Sequence, residues 1–159
     1  MSKAITQSLE GIVRHSFGLV DEFLKVCPDA VWAQPYGKWP VWQQLYHAFS
    51  AMDFFLRPKD APAAPSPVPA PVGNLAEVAV DVPSKQLIHD FIHKAQAQAL
   101  EYIAGLDDAA LADNNEGMSA RMGRDMTHAA TLGLLASHTM YHLGCCDAAL
   151  RQNGLQGVF

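Results

Sequence analysis

The segment RPKDAPAAPSPVPAPV, residues 57–72, divides a chain whose other parts are patterned as helices. Proline lacks an amide hydrogen and clashes with the preceding helical turn, so a dense run of prolines forms neither a helix nor an inner strand. We therefore predict an extended crossover loop over residues 58–83. Six of the ten prolines lie inside this loop, in one stretch of 14 residues: Pro58, Pro62, Pro65, Pro67, Pro69 and Pro71.

On both sides of this loop, apolar residues recur every three or four positions, which is typical of amphipathic helices. No alternating strand pattern is visible, and the polar run at 113–117 is predicted to be a loop. Proline and glycine residues bound each helical segment. The four predicted helices span residues 5–26, 38–56, 84–105 and 125–153.

Four long helices with one long connection predict an all-α fold, a four-helix bundle. The crossover is long enough to run the length of such a bundle, so the second and third helices need not be antiparallel neighbours. We predict an up-down-down-up order. The chain has 159 residues, and half of them are apolar. This length suits one domain with a hydrophobic core, so we predict a single domain over residues 1–159.

Composition excludes several function classes. The net charge is −5, and the 11 Lys and Arg residues are scattered, so we expect no nucleic-acid partner. Charged residues interrupt the N-terminal segment, and no run approaches the ~18 apolar residues of a membrane span, so we expect no membrane partner. Cys27, Cys145 and Cys146 have neither disulfide-framework nor thiolate-zinc spacing, which favours a cytoplasmic protein.

Two histidines on the last predicted helix indicate a metal site. His138 and His142 are one turn apart, about 40° from each other around the helix axis, on an apolar face. Two unpaired imidazoles inside a bundle cost roughly 1–3 kcal/mol each. A divalent ion removes this cost, because side chains at i and i+4 have Cβ atoms about 5–6 Å apart and reach the same ion.

A third ligand has to come from another helix, and His47 on the second helix is the candidate. That helix is apolar nearly all round, so both of its sides need to be covered. The bundle core covers the His47 side, and a second subunit is one way to cover the other side. We therefore predict a homodimer.

The remaining four histidines are predicted to lie outside this site. His89 and His93 also have i,i+4 spacing, but they fall at the edge of an apolar stripe, so we interpret them as a solvated flank. His15 and His128 have no partner at ligand spacing, and we interpret them as surface or hydrogen-bonded structural residues.

Two motifs resemble those of the DinB-like (DinB/YfiT-like) family of metalloenzymes. The segment WPVWQQLYH, residues 39–47, is similar to the tryptophan-led second-helix motif of that family. The segment HTMYHLG, residues 138–144, followed by ALR at 149–151, is similar to its fourth-helix motif, H-x-x-Y-H-x-G with a downstream LR. One departure is Cys145, where the family often has Gln.

The resemblance implies a divalent metal ion, usually nickel or zinc, held by His47, His138 and His142, and it implies frequent homodimers. It also implies a substrate class, since some family members act on thiol cofactors. The two metals cannot be distinguished from the sequence, because imidazole binds both.

Three histidines without a fourth protein ligand leave a coordination position open, which is typical of catalytic metal sites. This favours a metal-dependent hydrolase or S-transferase acting on a small molecule. The nearest polar groups by helix phase are Tyr141, Tyr46, Gln43 and Cys145. Of these, Tyr141, Gln43 and Cys145 are the candidate catalytic residues, and packing is the competing explanation for each. No general base is evident, which leaves a non-enzymatic metal-binding or dimeric interaction bundle as the alternative.

Overall fold

The computed structural model describes residues 2–159 and is predominantly helical. Among these residues, four long helices dominate, and three short helices, one 3₁₀ turn and a two-stranded ribbon connect them. The α-helices are α1 (Ala4–Val26), α2 (Asp29–Trp32), α3 (Val41–Leu56), α4 (Ala70–Gly73), α5 (Lys85–Ala104), α6 (Glu116–Met122) and α7 (His128–Gln152).

The four long helices share one hydrophobic core. α3 packs against α5 and α7, and α1 packs against α5 and α7 on the other side. The largest fully buried side chains come mostly from α3 and α5, which explains why α3 is apolar nearly all round. They include Trp42, Tyr46, Phe49, Ile88, Ile92 and Ile103.

The helix ends follow from local chemistry. Ser84 caps α5 by accepting a hydrogen bond from the Leu87 amide, and Thr127 caps α7 by accepting one from the Ala130 amide. α3 begins directly after Pro40 and ends at Leu56, shortly before Pro58. The boundary predicted at residue 125 for the last helix is three residues early, because Thr127 supplies the cap.

The prediction of no strands is wrong. Pro35–Tyr36 (β1) and Trp39–Pro40 (β2) form a short antiparallel ribbon, with Pro35 opposite Pro40 and Tyr36 opposite Trp39. Gly37 has a φ of +66° in the turn between them, a conformation that glycine adopts without strain. The second long helix therefore starts at Val41 and not at residue 38.

The loop predicted at 113–117 is also only partly right, because α6 begins inside it at Glu116. Asn115 caps α6 by accepting a hydrogen bond from the Met118 amide. Likewise, the crossover is not entirely extended, since residues 70–73 form the helical turn α4. Pro71 fits there because proline is tolerated in a first helical turn.

No helix among residues 2–159 combines the length and the apolar character needed to cross a bilayer. The contacts between the long helices agree with one shared core. The up-down-down-up order stays a prediction.

Candidate metal centre

His138 and His142 project from the middle of α7 towards α3. Their rings lie one turn apart, edge to face, with centroids 4.7 Å from each other and planes at 67°. The helix fixes this spacing because i and i+4 side chains lie on the same face. Buried residues on either side of the pair, Leu135, Thr139 and Leu143, hold this part of α7 against the core.

His47 on α3 completes a cluster of three imidazoles. Its ring centroid lies 5.1 Å from that of His138 and 4.8 Å from that of His142. One nitrogen from each ring lies within 4.8 Å of the other two. In the part of the chain from residue 2 onwards, no Asp, Glu or Cys belongs to this group of potential ligands. The structure thus brings together the three histidines singled out in the sequence.

Aromatic side chains enclose two sides of the cluster. The Phe55 ring lies 5.4 Å from His138 and almost perpendicular to it, and the Tyr141 ring lies 5.0 Å from His142. His142 is buried, whereas His47 and His138 are half-buried. The cluster is therefore partly accessible to solvent, at His47 and His138.

A backbone carbonyl holds the ring of His47. His47 Nδ1 donates a hydrogen bond of 2.8 Å to the Gly73 carbonyl oxygen in the crossover. A carbonyl oxygen only accepts, so the proton is on Nδ1, and Nε2 of the neutral ring carries a free lone pair. This is the arrangement in which a histidine binds a metal ion through Nε2.

All three imidazoles favour the neutral form. Burial, and then the repulsion of the neighbouring histidines, lowers the pKa of His138 to about 4 and that of His142 to about 3. Burial also lowers the pKa of His47, against the opposing effect of its hydrogen bond to Gly73. Only neutral imidazole binds a metal ion, so the site is in its binding form near neutral pH.

Two buried ring nitrogens in the cluster have no hydrogen-bond partner in the protein, Nδ1 of His138 and Nδ1 of His142. Buried polar atoms are normally paired, and an unpaired one costs roughly 1–3 kcal/mol. Uncharged nitrogen donors of this number and proximity fit a divalent ion of the zinc or nickel type.

The three candidate catalytic residues occupy different environments. Tyr141 is 68% exposed beside His142, so its hydroxyl is accessible. Cys145 is half-buried one turn beyond His142, and burial raises the pKa of its thiol. Gln43 is fully buried, and both atoms of its amide bond to the crossover backbone.

The other histidines lie away from the cluster. His93 is exposed, with its Nε2 3.6 Å from Asp21, whereas His89 is half-buried and its Nε2 is buried without a partner. The interpretation of this pair as a solvated flank is therefore right for His93 and incomplete for His89. His128 Nδ1 lies 2.5 Å from the Tyr102 hydroxyl, a structural contact.

Sequence reasoning did not identify Gly73, although its carbonyl orients His47. The position of a backbone acceptor depends on how the crossover folds, and no residue type in the sequence identifies such an acceptor. The only available signal was the position of Gln43 one turn before His47, on the same face of α3.

Comparisons with known proteins agree with this geometry. A family model described as the DinB superfamily matches residues 14–146. A crystal structure of a DinB-like protein from Bacillus cereus ATCC 10987 superposes with a TM-score of 0.66 at 22% identity, and the match covers 93% of this chain and 94% of that one. At this identity the likeness concerns the fold. A search of curated proteins gives no match.

Proposed function

The chain belongs to the DinB superfamily, and on this premise we propose that it binds one divalent metal ion, nickel or zinc, through His47, His138 and His142. The observation that carries the proposal is the convergence of three neutral imidazoles within 4.8 Å of one another. Family membership supports it independently of the geometry.

The proposed activity is that of a metal-dependent hydrolase or S-transferase on a small molecule. Three protein ligands leave a coordination position open, and an ion there would supply Lewis-acid activation of a substrate oxygen or binding of a thiolate. The solvent-accessible side of the cluster, at His47 and His138, gives a small molecule access.

The protein's own groups have distinct parts in this proposal. Tyr141 presents an exposed phenol next to His142 and is the candidate for hydrogen bonding to a bound substrate. Cys145 contributes a thiol whose pKa burial raises, so near neutral pH it is a neutral donor and not a thiolate nucleophile. The amide of Gln43 is engaged by the crossover, and we assign it no contact with substrate.

A panel of thiols, activated esters and amides tests the proposed activity on zinc-loaded and nickel-loaded protein. We expect metal-dependent turnover that His142→Ala abolishes and that Tyr141→Phe reduces without changing the metal content. Turnover that persists at the same rate in His142→Ala would contradict the proposal.

The alternative is a non-enzymatic metal-binding or dimeric interaction bundle, and a specific observation favours it. The cluster consists of imidazoles alone, and among the described residues no Asp or Glu belongs to it that could serve as a general base there. This alternative predicts that metal raises stability while the whole panel shows no turnover.

We further propose a homodimer, a cytoplasmic location and a four-helix bundle in up-down-down-up order as the setting of this function. Ile5 and Ile12 on α1 are more than half exposed, which supports an interface between copies of the chain. Light scattering after size exclusion tests the dimer, and Ile12→Glu is expected to give a monomer with unchanged metal content.

A further inference from the structure

Gln43 forms three hydrogen bonds to the crossover, although it was singled out as a candidate for catalysis. Its Nε2 donates to the carbonyl oxygens of Val72 at 2.9 Å and Glu77 at 2.7 Å. Its Oε1 accepts from the amide of Ala79 at 3.0 Å. The side chain is fully buried, and these bonds satisfy both ends of its amide.

The backbone that Gln43 holds includes the acceptor for His47. Val72 immediately precedes Gly73, whose carbonyl accepts the Nδ1 hydrogen of His47 at 2.8 Å and lies 3.5 Å from the Ser50 hydroxyl. Gln43 and His47 are one turn apart on α3. They therefore hold consecutive peptide units of the crossover from the same helix face.

The segment that carries Gly73 needs such anchors. Leu75, two residues further on, has a φ of +56°, a left-handed conformation that is unfavourable for a residue other than glycine. Gly73 itself is buried, and a Cβ atom there would lie 3.2 Å from a ring carbon of Tyr46. The turn is thus pressed closely against α3, and contacts with α3 have to offset its strain.

We propose that Gln43 is a positioning residue of the metal centre: it fixes the crossover so that the Gly73 carbonyl holds His47 with its proton on Nδ1 and Nε2 free to coordinate the ion. This inference rests on the proposed metal binding. The hydrogen bonds of Gln43 all go to the crossover backbone, so it acts on His47 through Gly73. Partners that orient a ligand histidine typically change metal affinity by about 10–100-fold when they are removed.

The chain offers a matched control for this proposal. Gln44 is the next residue on α3, is also buried, and donates through Nε2 to the carbonyl oxygen of Tyr36 in the ribbon at 3.2 Å. Gln43→Met and Gln44→Met remove a buried amide of equal size from the same helix. Only the first releases the crossover near Gly73.

Two readouts test the proposal at neutral pH. Nitrogen-15 NMR of the His47 ring in metal-free protein reports the tautomer, and competition with a chelating dye reports the zinc affinity. We expect His47 to be protonated on Nδ1 in the wild type and in the Gln44→Met control. In Gln43→Met we expect a mixture of tautomers and about a 10-fold or greater loss of zinc affinity.

The outcomes separate this proposal from the proposed function. An unchanged His47 tautomer and unchanged zinc affinity in Gln43→Met would overturn the positioning role. If wild-type protein binds no zinc while Gln43→Met still loses the Nδ1 tautomer, the crossover contact stands and the proposed function fails. If Gln43→Met does not fold, Gln43→Asn keeps a buried amide but is shorter by one methylene, which draws its NH2 group back from the Val72 carbonyl, and it is expected to shift the tautomer and the zinc affinity in the same direction. An unchanged tautomer and affinity in Gln43→Asn would then count against the proposal.

Discussion

The imidazole rings of His47 and His142 lie edge to face, with their centroids 4.8 Å apart and their planes at 74°. His47 belongs to α3 and His142 to α7, so the packing of these two helices sets the relationship. Two protonated rings this close would repel each other in a site of low polarity. Neutral rings are therefore the favourable state, and the proposal that they share an ion has several measurable consequences.

Zinc or nickel should raise the melting temperature of the wild type. An ion that binds the folded state alone adds about 2.7 kcal/mol of stability at a hundred times its dissociation constant. Differential scanning calorimetry of metal-free and zinc-loaded protein measures the shift. His138→Ala should show almost no shift, and His93→Ala, an exposed histidine outside the cluster, should keep it. A full shift in His138→Ala would contradict the assignment.

The metal-free protein should lose stability as the pH falls from about 6.5 towards 3. The pKa of His138, about 4, and that of His142, about 3, lie below those of the unfolded chain. Between the two sets of values the unfolded chain binds more protons, so acid favours unfolding. Urea midpoints measured in chelator across this range test the slope, which should be smaller in the double variant His138→Gln/His142→Gln. An equal slope would show that these histidines are not shielded.

Gly117→Ala should destabilise the protein by about 1–3 kcal/mol, because the structure has no room for a larger residue. A Cβ atom at this position would collide with the Arg57 carbonyl oxygen and lie 2.9 Å from a guanidinium nitrogen of Arg121. Gly18→Ala on α1 is the control, since a Cβ atom there meets nothing within 4 Å. This substitution should raise the free energy of unfolding by about 0.5–1 kcal/mol. Chemical denaturation measures both, and similar effects would contradict the packing.

Asn115→Ala should cost about 1–2 kcal/mol, because it removes the cap of α6 and a buried hydrogen bond. Asn115 accepts from the Met118 amide and donates to the Tyr102 hydroxyl, both at 3.0 Å. Asn153→Ala, at the exposed end of α7, should cost less. Urea unfolding compares the two variants, and equal losses would argue against a special role for Asn115.

The sequence predicted the long helices well because each presents several turns of apolar residues to one core. The 3.6-residue period then identifies the buried face, as it does for Ile88, Ile92 and Ile103 on α5. The sequence also predicted the proximity of the three histidines. A single helix fixes the spacing of two of them, and only the position of His47 depends on helix packing.

The short elements were not predictable in the same way. The ribbon at 35–40 has two residues in each strand, and the Gln44 side chain donates a hydrogen bond to its Tyr36 carbonyl oxygen from α3. α6 depends on Asn115, which looks like an ordinary loop residue until its contacts with Tyr102 are known. Gly73 was missed for a similar reason, because a carbonyl in a proline-rich loop has no pattern of its own. Short elements are stabilised by tertiary contacts more than by local preference.

Elemental analysis of purified, untagged protein measures whether His47, His138 and His142 bind a metal ion. Wild type is compared with His47→Ala/His142→Ala and with His89→Ala/His93→Ala, a matched loss of two histidines outside the cluster. The account predicts close to one nickel or zinc ion per chain in the wild type and in the His89/His93 variant, and almost none in the His47/His142 variant. Equal metal content in all three proteins would contradict it.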